Sequence, residues 1–222
     1  MTSTIGSRIN DIKASLPAGV TLVAVSKFHP VEALEEAYAG GQRVFGESRA
    51  NELVAKAGAL PSDIEWHFIG HLQTNKARTI MPHVTLIHSI DSERLLKLVD
   101  AEAKRINRTV DALLQVHVAR EETKFGFSPE ELNELAASGV IESLTNVRIR
   151  GVMGMASNVD DEERIKDDFR RIAESFADLK RLSTLDSLDT ISMGMSHDYR
   201  LAIDAGSNMV RIGTTIFGER EY

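Results

Sequence analysis

The 222-residue chain contains no cysteine, which excludes disulfides, thiolate metal sites and a cysteine nucleophile and fits a reducing compartment. No Pro/Gly/Ser-rich linker or block of like charge interrupts it, so residues 1–222 are expected to form a single domain around one core. No apolar run reaches membrane-spanning length, and Met1-Thr2-Ser3-Thr4-Ile5-Gly6-Ser7-Arg8 lacks the apolar core of a signal peptide. The expected setting is the cytoplasm, with no membrane contact. A formal charge of -7, spread along the sequence, argues against nucleic-acid partners and still leaves room for a local basic pocket that takes a small anion. Also missing is a Gly-x-Gly-x-x-Gly after the first strand, where a dinucleotide-binding unit would carry it. With 42% hydrophobic and 27% charged residues, the composition is that of a folded soluble protein.

The chain alternates strand and helix. Ile5, Ile9, Ile12 and Leu16 recur at helical spacing ahead of Pro17-Ala18-Gly19, predicting an N-terminal amphipathic helix that serves as a lid or packing element. Thr21-Leu22-Val23-Ala24-Val25-Ser26-Lys27 then reads as a strand buried on both faces that ends in a lysine, and Pro30 opens the next helix. Further strands are predicted at 43–46, 64–69, 84–88, 110–118, 147–153, 190–193 and 208–212. Between them lie helical segments. One is predicted over 47–57, one starts at Asp91-Ser92-Glu93, and one has Ser128 as N-cap with Pro129 at its first position. The clearest helix carries Ile165, Phe169, Ile172, Phe176 and Leu179 as a core-facing stripe and starts near Asp160 or Asp161; a shorter one follows over 197–204. Eight strand-to-helix alternations without hairpin signals predict parallel strands with right-handed crossovers, closed into a (β/α)₈ TIM barrel; an open doubly wound sheet is the alternative. The active face of such a barrel lies at the segments after each strand.

Lys27 falls on that face. A lysine partly desolvated there loses some preference for the ammonium form and can act as an amine nucleophile toward a carbonyl, although lysines at strand ends are more often solvated surface residues. The last strand runs into Arg211-Ile212-Gly213-Thr214-Thr215, and the preceding corner is Ser192-Met193-Gly194-Met195-Ser196. Small residues and hydroxyls on two neighbouring corners suit a phosphate; tight turns alone would also account for the glycines. His67 and His71 stand four apart on a strand running into a loop, which suits a loop hydrogen-bonding role better than zinc. Residues 119–127 are expected to form a folded loop over the active face.

These segments resemble a known family. Val25-Ser26-Lys27, Phe45-Gly46-Glu47, Trp66-His67-Phe68-Ile69-Gly70-His71-Leu72-Gln73-Thr74-Asn75-Lys76, Thr123-Lys124-Phe125-Gly126, Arg150-Gly151-Val152-Met153-Gly154-Met155, Ser192-Met193-Gly194-Met195-Ser196-His197-Asp198 and Val210-Arg211-Ile212-Gly213-Thr214 are similar to the pyridoxal phosphate homeostasis proteins, the YggS/PROSC family. The resemblance covers nearly the whole chain. It implies a barrel like the N-terminal domain of alanine racemase, with pyridoxal 5′-phosphate (PLP) bound as an aldimine of Lys27. It further implies that Ser196, Gly213 and Thr214 hold the phosphate, that Arg211 faces the pyridine nitrogen, and that Met195 and Ser48 also contact the cofactor. Ser48 stands where the family usually has asparagine, Asn51 where glutamine is common, and His117 where asparagine usually ends the fifth strand, which leaves the ring-side polar contacts open.

The expected function is therefore a PLP-binding protein of intracellular vitamin B6 homeostasis, a monomer without efficient catalysis that passes cofactor to apo PLP-dependent enzymes. An arginine can only donate to the pyridine nitrogen, which weakens the ring as an electron sink. A chain that stops at Tyr222 is also expected to lack the β-domain that completes racemase active sites. The alternatives are a PLP-dependent racemase or decarboxylase on the same fold, or a Schiff-base aldolase in which Lys27 attacks a sugar phosphate.

Overall fold

A computed structural model describes residues 4–118 and 125–219. Eight parallel strands close into a barrel in sequence order: β1 (Thr21–Val25), β2 (Val44–Glu47), β3 (Glu65–Phe68), β4 (Val84–Ile90), β5 (Val110–Val116), β6 (Val147–Gly154), β7 (Thr190–Ser192) and β8 (Met209–Ile212). β8 closes on β1 with Val23 opposite Arg211. The helices are α1 (Ile5–Ser15), α2 (Val31–Ala39), α3 (Ala50–Ala59), α4 (Thr74–Ile80), α5 (Glu93–Arg105), α6 (Pro129–Ala137), α7 (Glu162–Leu182), α8 (Tyr199–Asp204) and α9 (Thr214–Phe217), with a 3₁₀ turn at Ile141–Ser143. The barrel expected from the strand–helix alternation is the fold observed. Among the described residues no helix is long and apolar enough to cross a membrane.

Strand alternation sorts the apolar residues into two cores. Val23, Leu86, Leu113, Met153 and Met209 point inward and pack together inside the barrel. Their outward neighbours, such as Leu22, Ala24, Phe45, Trp66, Ile87, Leu114 and Val210, join the helix stripes in a much larger outer core. Gly151 allows one tight strand contact: at φ 149° a Cβ would sit 1.8 Å from the Thr190 carbonyl oxygen, so no side chain fits.

Helix ends follow local chemistry. Ser128 accepts from the Glu131 N–H at 3.1 Å while Glu131 accepts from the Ser128 N–H at 2.8 Å, a capping box with Pro129 at the first helical position. Asp161 caps α7 and Ser92 caps α5. The N-terminal helix packs rather than covers a site: Ile5, Ile9 and Ile12 are buried, the Ile5 N–H donates to Glu36 Oε1 on α2, and Arg8 donates to the Ile216 carbonyl on α9. Several boundaries differ from expectation; β4, for one, runs on to Ile90. β2 takes in Glu47, so α3 starts at Ala50; β5 ends at Val116, which bridges to Phe127; and the stretch after β8 forms the short α9 instead of an open corner. Residues 119–124, which include most of the loop expected over the active face and the Thr123-Lys124 part of its motif, lie outside the described residues.

Candidate functional site

The inward parity of β1 runs Val23, Val25, Lys27, so the lysine enters the barrel mouth two residues beyond the strand end. It lines a cavity of about 190 Å³ with Met195, Ser196, Arg211, Gly213 and Thr214, walled on its apolar side by Val25, Ile69 and Met155. Residues far apart in sequence thus meet because β1, β7 and β8 are neighbours in the closed barrel. Ser48 is placed elsewhere. It lines an adjoining hollow of about 630 Å³ with Asn51, His71 and Lys76, which contains neither Lys27 nor Arg211.

The backbone on both sides of Lys27 is strapped down. The Ser26 N–H donates to the Gly46 carbonyl at 3.0 Å and its hydroxyl to Glu47 Oε1 at 2.6 Å, while Lys56 Nζ donates to the Ser26 carbonyl at 2.9 Å. Lys56 also bridges Glu47 at 2.7 Å and Glu52 at 3.3 Å, and Glu52 accepts from the Phe28 N–H at 2.8 Å. Phe28 itself takes a left-handed backbone, φ 68°, rare for a bulky residue. Burial pushes the Glu47 carboxyl up in pKa, against the opposing pull of Lys56 and Ser26. These contacts lie between the barrel wall and α3, behind the lysine.

On the opposite wall the corners after β7 and β8 are laced together. The Arg211 N–H donates to the Gly194 carbonyl at 3.0 Å, the Gly213 N–H donates to Ser196 Oγ at 3.3 Å, and buried Asp198 accepts from the Met195 N–H at 2.6 Å. Gly194 has φ 95°, and a Cβ there would come 2.7 Å from that of Ala202. The Arg211 side chain is buried inside the barrel. Its Nη1 donates to Ser192 O at 2.8 Å and Ser192 Oγ at 2.7 Å, and its Nη2 to Gly154 O at 3.0 Å. No carboxylate pairs with it among the described residues. Burial lowers its pKa to about 10, so it stays protonated at neutral pH.

The two histidines of the Trp66–His71 block part company. His67 points into the barrel and meets His88 at 2.9 Å; His71 points out, pairs with Asp91 at 2.9 Å and stacks on Phe125 at 3.7 Å. His117 donates its backbone N–H to the Phe127 carbonyl beside β5. Sequence reasoning missed His88 and the Glu47–Lys56 pair. Inward parity could have found His88, which lies two residues beyond the interior Leu86; nothing local announces that Lys56 turns back under β1.

The donor set suits an aldehyde-bearing phosphate ester. One amine, two hydroxyls, a glycine corner with backbone N–H groups and one fixed guanidinium share a single cavity. Residues 2–221 match the family described as alanine racemase, N-terminal domain, and the architecture is that of a PLP-class barrel. The match narrows further with curated relatives. A pyridoxal phosphate homeostasis protein of Aquifex aeolicus is 42% identical over 202 residues, covering 90% of this chain and 87% of that one. The chain belongs to the pyridoxal phosphate homeostasis protein family. The structure of PipY from Synechococcus elongatus with PLP bound superposes with a TM-score of 0.89 at 37% identity, covering 97% of this chain and 100% of that one. Alanine racemase from E. faecalis shares the fold, with a TM-score of 0.74 at 19% identity, covering 97% of this chain and 57% of the racemase.

Proposed function

We propose that residues 1–222 act as one PLP-binding barrel domain that holds the cofactor and releases it to apo PLP-dependent enzymes in the cytoplasm, as a monomer and without efficient turnover of its own. The observation that carries this reading is the convergence of Lys27, Arg211 and the Ser196–Gly213–Thr214 corner on one cavity. When bound, PLP supplies an aldehyde that captures amines and a ring that withdraws electrons. Lys27 Nζ supplies the amine that retains the aldehyde end, and the apolar wall of Val25, Ile69 and Met155 keeps water from that nitrogen. Ser196 and Thr214 offer hydroxyls and Thr214 its N–H to the phosphate, Gly213 holds Ser196 Oγ against the corner through its own N–H, and Met195 lies beside them. Arg211 donates to the pyridine nitrogen and, being permanently protonated, gives it no proton. Such a site favours retention over activation of a substrate carbon. Ser48 would reach the cofactor only across the adjoining hollow.

Thr214→Val should weaken PLP binding by about ten-fold, the effect of one lost hydrogen bond to a charged group, while unphosphorylated pyridoxal binds almost as before. Titrating both vitamers into the apo-protein checks this; equal losses would remove the phosphate from this corner. Turnover is tested with amino acids deuterated at the α-carbon. Washout or racemisation at about 1 s⁻¹ or faster would make the protein an enzyme of the racemase or decarboxylase type, whereas cofactor transfer to an apo-enzyme without washout is the expected result.

A further inference from the structure

The barrel interior below the cavity holds a continuous line of polar side chains. Arg211 Nη1 donates to Ser192 Oγ at 2.7 Å, Ser192 Oγ meets His88 Nδ1 at 3.0 Å, and His88 Nε2 meets His67 Nδ1 at 2.9 Å. The four residues come from β8, β7, β4 and β3, cross the barrel and end at His67, which faces a hollow of about 340 Å³ lined also by Asp111 at the opposite mouth. All four are buried.

Counting donors fixes the sense of this line. Ser192 Oγ already accepts from Arg211, and its one proton has no acceptor other than His88 Nδ1 among the described residues. His88 must then carry its own proton on Nε2 and donate it to His67 Nδ1. Both imidazoles are neutral at physiological pH, burial having lowered His67 to about 3 and His88 in the same direction. Every bond in the line therefore points away from the guanidinium and turns a hydroxyl lone pair toward it. An interior of this kind would be filled more simply by apolar residues, since buried polar groups contribute only when every member is satisfied.

We propose that Ser192, His88 and His67 are positioning residues for Arg211: a one-way hydrogen-bond line that fixes the guanidinium plane so that one of its two remaining N–H groups, on Nη2 or Nε, addresses the pyridine nitrogen of bound PLP. This rests on the cofactor reading given above. The line acts on the ring nitrogen alone and leaves the amine and phosphate contacts as they are.

The test compares the affinity of the full-length protein for PLP with that for 1-deaza-PLP, in which carbon replaces the ring nitrogen. The wild-type chain should prefer PLP by roughly ten-fold or more, the worth of a hydrogen bond to a charged donor. Ser192→Ala and His88→Leu should bring the ratio down to about two-fold, while His88→Gln, which keeps an acceptor and a donor, should hold it near the wild-type value. Ser192→Ala removes a single oxygen, so it decides the matter even if His88→Leu does not fold. Equal losses for both ligands with an unchanged ratio would mean a purely structural role and would overturn the proposal. A wild-type ratio of one would instead sink the assignment of Arg211 to the ring, and the proposal with it; failure to bind either ligand would sink the cofactor reading itself.

Discussion

Replacing Lys27 by alanine should abolish the pyridoxyl adduct that borohydride fixes on the PLP-loaded protein. Lys27 is the lysine of the cavity that also contains Arg211, Ser196, Gly213 and Thr214. The nearby Lys56 is spent on Glu47, Glu52 and the Ser26 carbonyl behind the wall, and Lys76 lines the adjoining hollow. Peptide mass spectrometry after reduction should place the modification on Lys27 in the wild-type chain and find none in the variant. An adduct on another lysine, with Lys27 unmodified, would overturn the assignment. On the proposed assignment of Ser196, Gly213 and Thr214 to the phosphate, the variant should still bind PLP reversibly and more weakly.

Acid should destabilise the protein well before its carboxylates titrate. His67 is held near pKa 3 inside the barrel against 6.5 when solvated, and burial moves His88 the same way. Both pKa values are depressed, so the unfolded chain binds more protons than the folded one once the pH drops below about 6.5. Stability is full above that point and falls by about 1.4 kcal/mol per pH unit for each histidine as the medium becomes more acid. For His67 alone this approaches about 2 kcal/mol between pH 6.5 and 5, with His88 acting in the same direction, against a typical stability of roughly 5–15 kcal/mol. Urea unfolding across that interval should show the slope, and the double substitution His67→Gln with His88→Gln should flatten it. A flat wild-type profile, or an unchanged slope in the double variant, would mean that the pair is protonated in the folded state.

The fold was legible in the sequence because a parallel barrel writes itself locally: β-branched runs such as Thr21–Val25, caps such as Ser128 and a stripe such as Ile165–Leu179 each need only a few neighbouring residues. The corners at Lys27, Ser196 and Gly213 were legible for the same reason, since each is a short motif at a strand end. Ser192 and His88 were not. They lie 104 positions apart and touch only because β4 and β7, three strands apart around the closed barrel, both turn these side chains into its interior, a relation that depends on inward parity in both strands at once. Lys56 shows the same limit: a helical lysine normally reads as solvated, and here it is buried because three oxygens on β2, α3 and the turn after β1 surround it. Ser48 sits at the right corner of the chain yet turns toward the adjoining hollow, because the turn that includes Ser48 and Arg49 leads directly into α3.

The straps on Ser26 and Phe28 bear on how a cofactor could come and go. With the amides on either side of Lys27 tied to Gly46 and Glu52, the main chain there has no slack, and amide hydrogen exchange at these two positions should be as slow as in the strands. On the proposed assignment, Lys27 would reach and leave the cofactor by rotations of its own side chain, which take picoseconds to nanoseconds. Release would then be paced by bond breaking and by loss of the proposed phosphate contacts, with no loop opening at β1 to wait for.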